Sequence, residues 1–150
     1  MALNFNHFAA EANEFIKAYT KELSLNGDTE KAGRILSAIL HGLRELISTK
    51  ESLQLIAQFP MFLKAVYVNG WRIKDKKLRV KTMEDFIDLV KNFDSPSEIN
   101  DFGYDYDLAE KYIYATFIML RQYISLGELE DIRSELPKEL KDMVYHKIMF

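Results

Sequence analysis

No cysteine occurs among the 150 residues of the chain. Its absence excludes disulfides, thiolate metal sites and cysteine nucleophiles, and it suits a reducing compartment. Charge of one sign is not in excess either. Lys and Arg number 20 against 23 Asp and Glu, a formal net charge of −3, so no global field draws the chain toward nucleic acid or an anionic membrane. No uncharged apolar run approaches the roughly 20 residues of a membrane span. The opening residues, Met1 to Asn6, lack the basic-then-apolar pattern of a signal peptide, so a cytoplasmic location is expected. What remains is ordinary globular material, 48% hydrophobic and 29% charged, with 13% aromatics to fill a core. The length suits one compact domain, or two small halves sharing a core.

The chain repeats itself. Residues 28–68 and 105–145 align without a gap at a constant offset of 77. Identities include Asp28/Asp105, Ala32/Ala109, Leu43/Leu120, Arg44/Arg121, Ser48/Ser125, Glu51/Glu128 and Pro60/Pro137. Asp28 and Asp105 are N-cap candidates, because a side-chain oxygen accepts from the free N–H groups of a first turn. In the first copy Ala32, Ile35, Leu36, Ile39, Leu40, Leu43, Leu46 and Ile47 then form one apolar helical stripe. Ser48-x-x-Glu51 and Ser125-x-x-Glu128 read as capping boxes opening a short helix in each copy. Pro60 and Pro137 suit the start of last helices over 60–68 and 137–147. Arg44 and Arg121 fall in last turns, where cations favour helix-end carbonyls.

A further helix precedes each copy, over 6–23 and over 83–93, the latter with Thr82 as N-cap. Between the copies, Asn69-Gly70 is a turn signal. Trp71, Ile73, Leu78 and Val80 alternate around Asp75-Lys76, which predicts a small β-hairpin. The expected architecture is all-α: a single domain over 1–150, made of two pseudo-symmetric repeats of about four helices each (about 5–68 and 82–148), with the hairpin linker at 69–81.

The run from Ser125 to Pro137, Ser-Leu-Gly-Glu-Leu-Glu-Asp-Ile-Arg-Ser-Glu-Leu-Pro, resembles the Ser-Gly-Gly-Glu-Leu-x-Asp-Val-x-x-Gln-Leu-Pro signature of the bacterial "domain of unknown function 2267" family. Ala57-Gln58-Phe59-Pro60 resembles its Ala-Gln-Leu-Pro motif, and Gly70-Trp71 the Gly-Trp that follows. The departures include Leu126 in place of the first glycine and Phe59 in place of leucine. The resemblance covers nearly the whole chain. It implies an internally duplicated helical domain, and it carries no activity, cofactor or catalytic residue.

Chemistry-bearing residue types do not assemble in the sequence. Ser37, His41 and Glu45 stand at i, i+4 and i+8, but nothing supplies an oxyanion hole. The second copy holds Tyr114, Ile118 and Gln122 there, so a solvated polar stripe is the favoured reading. His7, His41 and His146 fit no metal-ligand spacing. Residues 94–110 carry six acids and no base, yet match no calcium loop, and they are expected to be a solvated acidic segment. Arg72, Lys74, Lys76, Lys77, Arg79 and Lys81 concentrate positive charge near Trp71. Lysines on an exposed hairpin edge explain them better than phosphate contacts do, because the rest of the chain sums to −8. Pairing of that basic segment with the acidic, aromatic loop is a further possibility. No catalytic residue, metal ligand or cofactor is assigned.

Residues 112–120 contain no charge, and a helix apolar all round is buried all round. Tyr114 and Ile118 lie off the stripe that matches the first copy. Either the second half is the central one, or this face meets another chain. The terminal segment 143–150 is apolar enough to dock on the core. The expected function is a non-enzymatic helical interaction or structural module, with a homodimer or protein partner meeting Tyr114 and Ile118. The alternative is a small-molecule or phosphate-binding protein with a cleft between the repeats, lined by Tyr67, Trp71, Arg72, Lys74, Lys76, Lys77 and Arg121. Nucleic acid and membrane are not expected partners.

Overall fold

Each long helix begins where a side-chain oxygen takes a free backbone N–H. The computed structural model describes residues 3–73, 78–94 and 100–145. Asn4 accepts from the His7 N–H and opens α1 (Phe5–Glu22). Asp28 accepts from Lys31 and opens α2 (Thr29–Leu46). Ser48 opens α3 (Thr49–Gln58), and Pro60 precedes α4 (Met61–Val68). Thr82 and Asp85 form a complete capping box at α5 (Met83–Phe93). Asp105 accepts from the N–H groups of Asp107 and Leu108 at α6 (Tyr106–Leu120), which tightens into a 3₁₀ turn at Arg121–Tyr123. Ser125 opens α7 (Leu126–Glu135). A 3₁₀ turn at Lys138–Leu140 then leads into α8 (Lys141–Val144).

The architecture is therefore all-α, with two corrections. No strand forms at residues 71–73 or 78–80, the described flanks of the expected hairpin, while its turn at 74–77 lies outside the described residues. Two strands would have to bury one face to persist, and here Ile73 and Leu78 are exposed. The helix expected over 137–147 is broken instead into the 3₁₀ turn and four residues of α8; its last two positions, 146 and 147, lie outside the described residues.

The centre of the protein is α2, which packs against α1, α4, α5 and α6. Ile35, Ile39, Leu40 and Leu43 are essentially inaccessible, each stabilising the fold by roughly 1.5–3 kcal/mol on the usual scale for burying such side chains. Packing on several sides explains why His41, Gly42 and Arg44 are also buried. Gly42 is the point of closest approach. A Cβ there would lie 2.8 Å from Cγ2 of Val90 and 3.2 Å from Cε1 of Phe86, both on α5. In α6 only one stripe is buried, comprising Ala109, Tyr112, Ile113, Thr116, Phe117 and Leu120. It reaches α1 through Tyr19. Because the Thr116 hydroxyl donates to the Tyr112 carbonyl at 2.7 Å, the Tyr19 hydroxyl is the donor in its 2.7 Å bond to Thr116. Buried apolar residues from both halves form one contiguous cluster.

Candidate functional site

Two regions hold chemistry that helix packing alone does not consume: the outer face of α6, and the junction of α3 with α7.

On α6, Tyr114 and Ile118 sit one turn apart. Ile118 is 57% exposed and Tyr114 half-buried, so the uncharged stretch is not buried all round as expected. With Ala115 they floor a shallow groove of about 520 Å³ whose rim is Glu22, Asp107, Glu110 and Lys111. The positions 77 residues earlier, Ser37 and His41, belong to a face that α5 largely covers. His41 Nε2 lies 2.8 Å from the Val66 carbonyl and its ring stands edge-on to Phe93. Burial lowers the His41 pKa, and the nearby Arg44 adds to the effect. His41 is thus a packed core histidine and not part of a solvated stripe with Ser37 and Glu45.

The residues proposed to meet a phosphate are spread over several environments. The Tyr67 hydroxyl is buried against Ser52 at 2.6 Å, and burial raises its pKa. Trp71 packs edge-on against the Tyr67 ring. Arg72 is exposed and lines a recess of about 70 Å³ with Arg44, Glu45, Gly70 and Phe93. Arg121 belongs to the second half, where its Nε donates to the Val144 carbonyl at 3.0 Å. Lys74, Lys76 and Lys77 lie outside the described residues. Arg44 donates from Nη1 to the carbonyls of Tyr67 and Asn69 at 2.7 and 2.8 Å. The matched arginines therefore clamp the ends of α4 and α8, neighbours in space, and not the ends of their own helices.

Of the acidic stretch 94–110, residues 95–99, with Glu98, lie outside the described residues, and the remainder is only partly solvated. Asp101 is buried and forms a bidentate pair with Arg34 of α2 at 2.9 and 3.1 Å. Its backbone N–H donates to Asp94 at 3.1 Å. Burial, followed by hydrogen bonding to Asp101, pushes Asp94 up to about 7. Asp101, which burial alone would raise, is held below its ordinary value by the Arg34 guanidinium.

The α3–α7 junction differs most from the sequence reading. Ser48 and Ser125 accept from the N–H groups of Glu51 and Glu128 at 3.1 and 3.2 Å, one half of each expected capping box. The other half comes from across the junction. The Ser48 N–H donates to Glu135 Oε1 at 2.6 Å, and the Ser125 N–H to Gln58 Oε1 at 2.7 Å. Gln58 and Glu135 are themselves 77 residues apart. The Glu51 and Glu128 carboxylates, displaced from the caps, turn inward and become buried, with Oε2 of each lacking a hydrogen-bond partner. Burial first, then hydrogen bonding to the Glu51 carboxyl, pushes Glu128 up to about 8. One oxygen from each of Glu51, Glu128 and Asp131 lies within 4.8 Å of the other two. Histidine spacing could not have revealed this group. The available signal was the occurrence of two glutamates, each three residues after a serine, 77 residues apart.

No helix among the described residues is long and apolar enough to cross a membrane. A comparison with curated proteins gave no match. The profile of a family described as uncharacterized conserved protein (DUF2267) matches residues 12–143, most of the length. The caps, arginine clamps and packed helices described above are thus those of a member of the DUF2267 family.

Proposed function

We propose that the protein is a non-enzymatic helical interaction module, built as two copies of one unit in a single domain, which self-associates through the outer face of α6. The observation that carries this reading is the uncovered apolar pair Tyr114 and Ile118 on a helix whose other face is fully in the core. The offset of 77 supports the duplication, because it relates the serine caps, the glutamine and glutamate that cross between them, and the carbonyl-clamping arginines. The copies differ where α5 meets α2. Gly42 lets α5 seat Phe86 and Val90 closely, whereas Met119 stands at the corresponding position of α6. Met119 is itself partly buried against the core, and Ile118 beside it is open.

A second copy of the chain fits this face. The rim carries both signs, Lys111 against Glu22, Asp107 and Glu110, so a two-fold contact can pair unlike charges around an apolar centre. Size-exclusion chromatography with light scattering is expected to give twice the 17.5 kDa of one chain. Ile118→Asp should return the monomer with unchanged helical circular dichroism. A wild-type protein that remains monomeric at high concentration rejects self-association. The absence of cysteine agrees with a reducing, cytoplasmic setting.

A further inference from the structure

We propose that Glu51, Glu128 and Asp131 form a site for one hard divalent cation of the Ca²⁺, Mg²⁺ or Mn²⁺ class, bridging α3 and α7. Nearness of acids alone would not justify a site, since acidic clusters are common on surfaces. The independent observation is that the two carboxyls are buried and that, apart from each other, Oε2 of each has no partner. Glu128 is 5% exposed and Glu51 8% exposed, and Oε2 of each is sealed from solvent with no hydrogen-bond donor. A buried charged oxygen left without a partner is costly, and proteins resolve such a cost by pairing or by metal coordination.

The fold adds to that cost when it could have avoided it. Glutamate at the third position of a helix ordinarily turns back to the cap N–H. Here Glu135 and Gln58 occupy both caps, and two carboxylates are directed at each other across the junction. Asp131, one turn beyond Glu128 on α7, supplies the third oxygen from the exposed edge of the junction.

The neighbouring groups favour a cation as well. From α3 the junction receives Glu51 and the Ser52 hydroxyl, from α7 Glu128, Asp131 and Glu135, and from α4 the Tyr67 hydroxyl, which is bound to Ser52. Arg44 of α2 bears on the Tyr67 hydroxyl, whereas the charges that bear on Glu128 are all acidic, namely Glu51, Asp131 and Glu135. Oxygen donors alone select hard cations over zinc or copper. Three carboxylates would hold the ion, and water would complete its shell.

Full-length protein stripped with EDTA would be titrated separately with CaCl₂, MgCl₂ and MnCl₂, by calorimetry and by thermal unfolding. At least one ion is expected to bind at one per chain and to raise the melting temperature. Asp131→Asn should weaken that binding about tenfold or more through the lost ligand charge. Because Asp131 is exposed, the melting temperature of the ion-free variant should not change. Glu51→Gln should abolish binding, and its intact helical spectrum would separate loss of the site from loss of fold. The proposal is overturned if none of the three ions binds up to about 10 mM, beyond the weakest ordinary calcium sites. It is equally overturned if potassium chloride of matched ionic strength reproduces the shift, or if both variants bind as the wild type does. Any of these results would leave Glu51 and Glu128 as a buried carboxyl pair that holds no ion.

Discussion

At the scale of single residues, the buried carboxylates set how stability changes with pH. Glu128 ordinarily titrates near 4.5 and is pushed up to about 8 in the fold. Between those values the folded protein holds more protons than the unfolded chain. The stability it contributes is complete below about 4.5 and is lost as pH rises through about 8. Asp94, pushed from 3.8 to about 7, acts in the same direction. In EDTA, the melting temperature is therefore expected to fall between about pH 5 and pH 8. Glu128→Gln should flatten much of that fall, and a slope identical to wild type would remove Glu128 as its source. The N-caps Asp28, Ser48, Asp105 and Ser125 were legible from sequence, because capping is settled within a single turn. The direction taken by Glu51 and Glu128 was not legible. A glutamate turns back to its own cap only when nothing else takes the cap N–H, and the competitors arrive from 67 and 87 residues away in the chain.

At the scale of elements, α2 and α6 show how similar stripes reach different burial. Gly42→Ala places a methyl group 2.8 Å from Val90, a side chain fully buried on α5. Overpacking of this kind typically costs about 1–3 kcal/mol. Denaturant unfolding should show that loss, although alanine is the better helix former by roughly 1 kcal/mol. The junction offers a second test. Gln58→Ala and Glu135→Ala each remove a cap supplied by the opposing helix, and each should lower stability by about 0.5–2 kcal/mol, the usual worth of an N-cap. An unchanged midpoint in both variants would mean that water replaces these caps at no cost. The long helices were readable because periodic apolar residues and caps agree along them. Residues 71–73 and 78–80 form no strand because alternation predicts strand only where one face has a partner to cover it. Ile73 and Leu78 remain exposed, with no such cover. The closing helix of the second half was overextended because Pro137 marks where a helix can begin and says nothing of where it stops.

At the scale of the whole molecule, buried residues of both halves form one cluster. Tyr19 of α1 bonds Thr116 of α6, and Arg34 of α2 pairs with Asp101 ahead of α6. Unfolding of the ion-free monomeric variant is thus expected to be a single transition, with calorimetric and van't Hoff enthalpies equal. Two resolved transitions would mean that the halves are energetically separate. The amino-acid sequence by itself determined the helices, their starts and the family, because these depend on contacts within a turn or two and on patterns that recur every 3.6 residues. It also contained the candidate interface residues Tyr114 and Ile118 as an uncharged stretch, without saying whether neighbours would cover them. Only the tertiary structure decided that α2 and not α6 is central, and that His41 is packed while Ile118 is open. It also turned two capping glutamates into a buried acidic junction. Each of those outcomes depends on which helix wins a shared position in space, and that competition involves residues far apart in the chain.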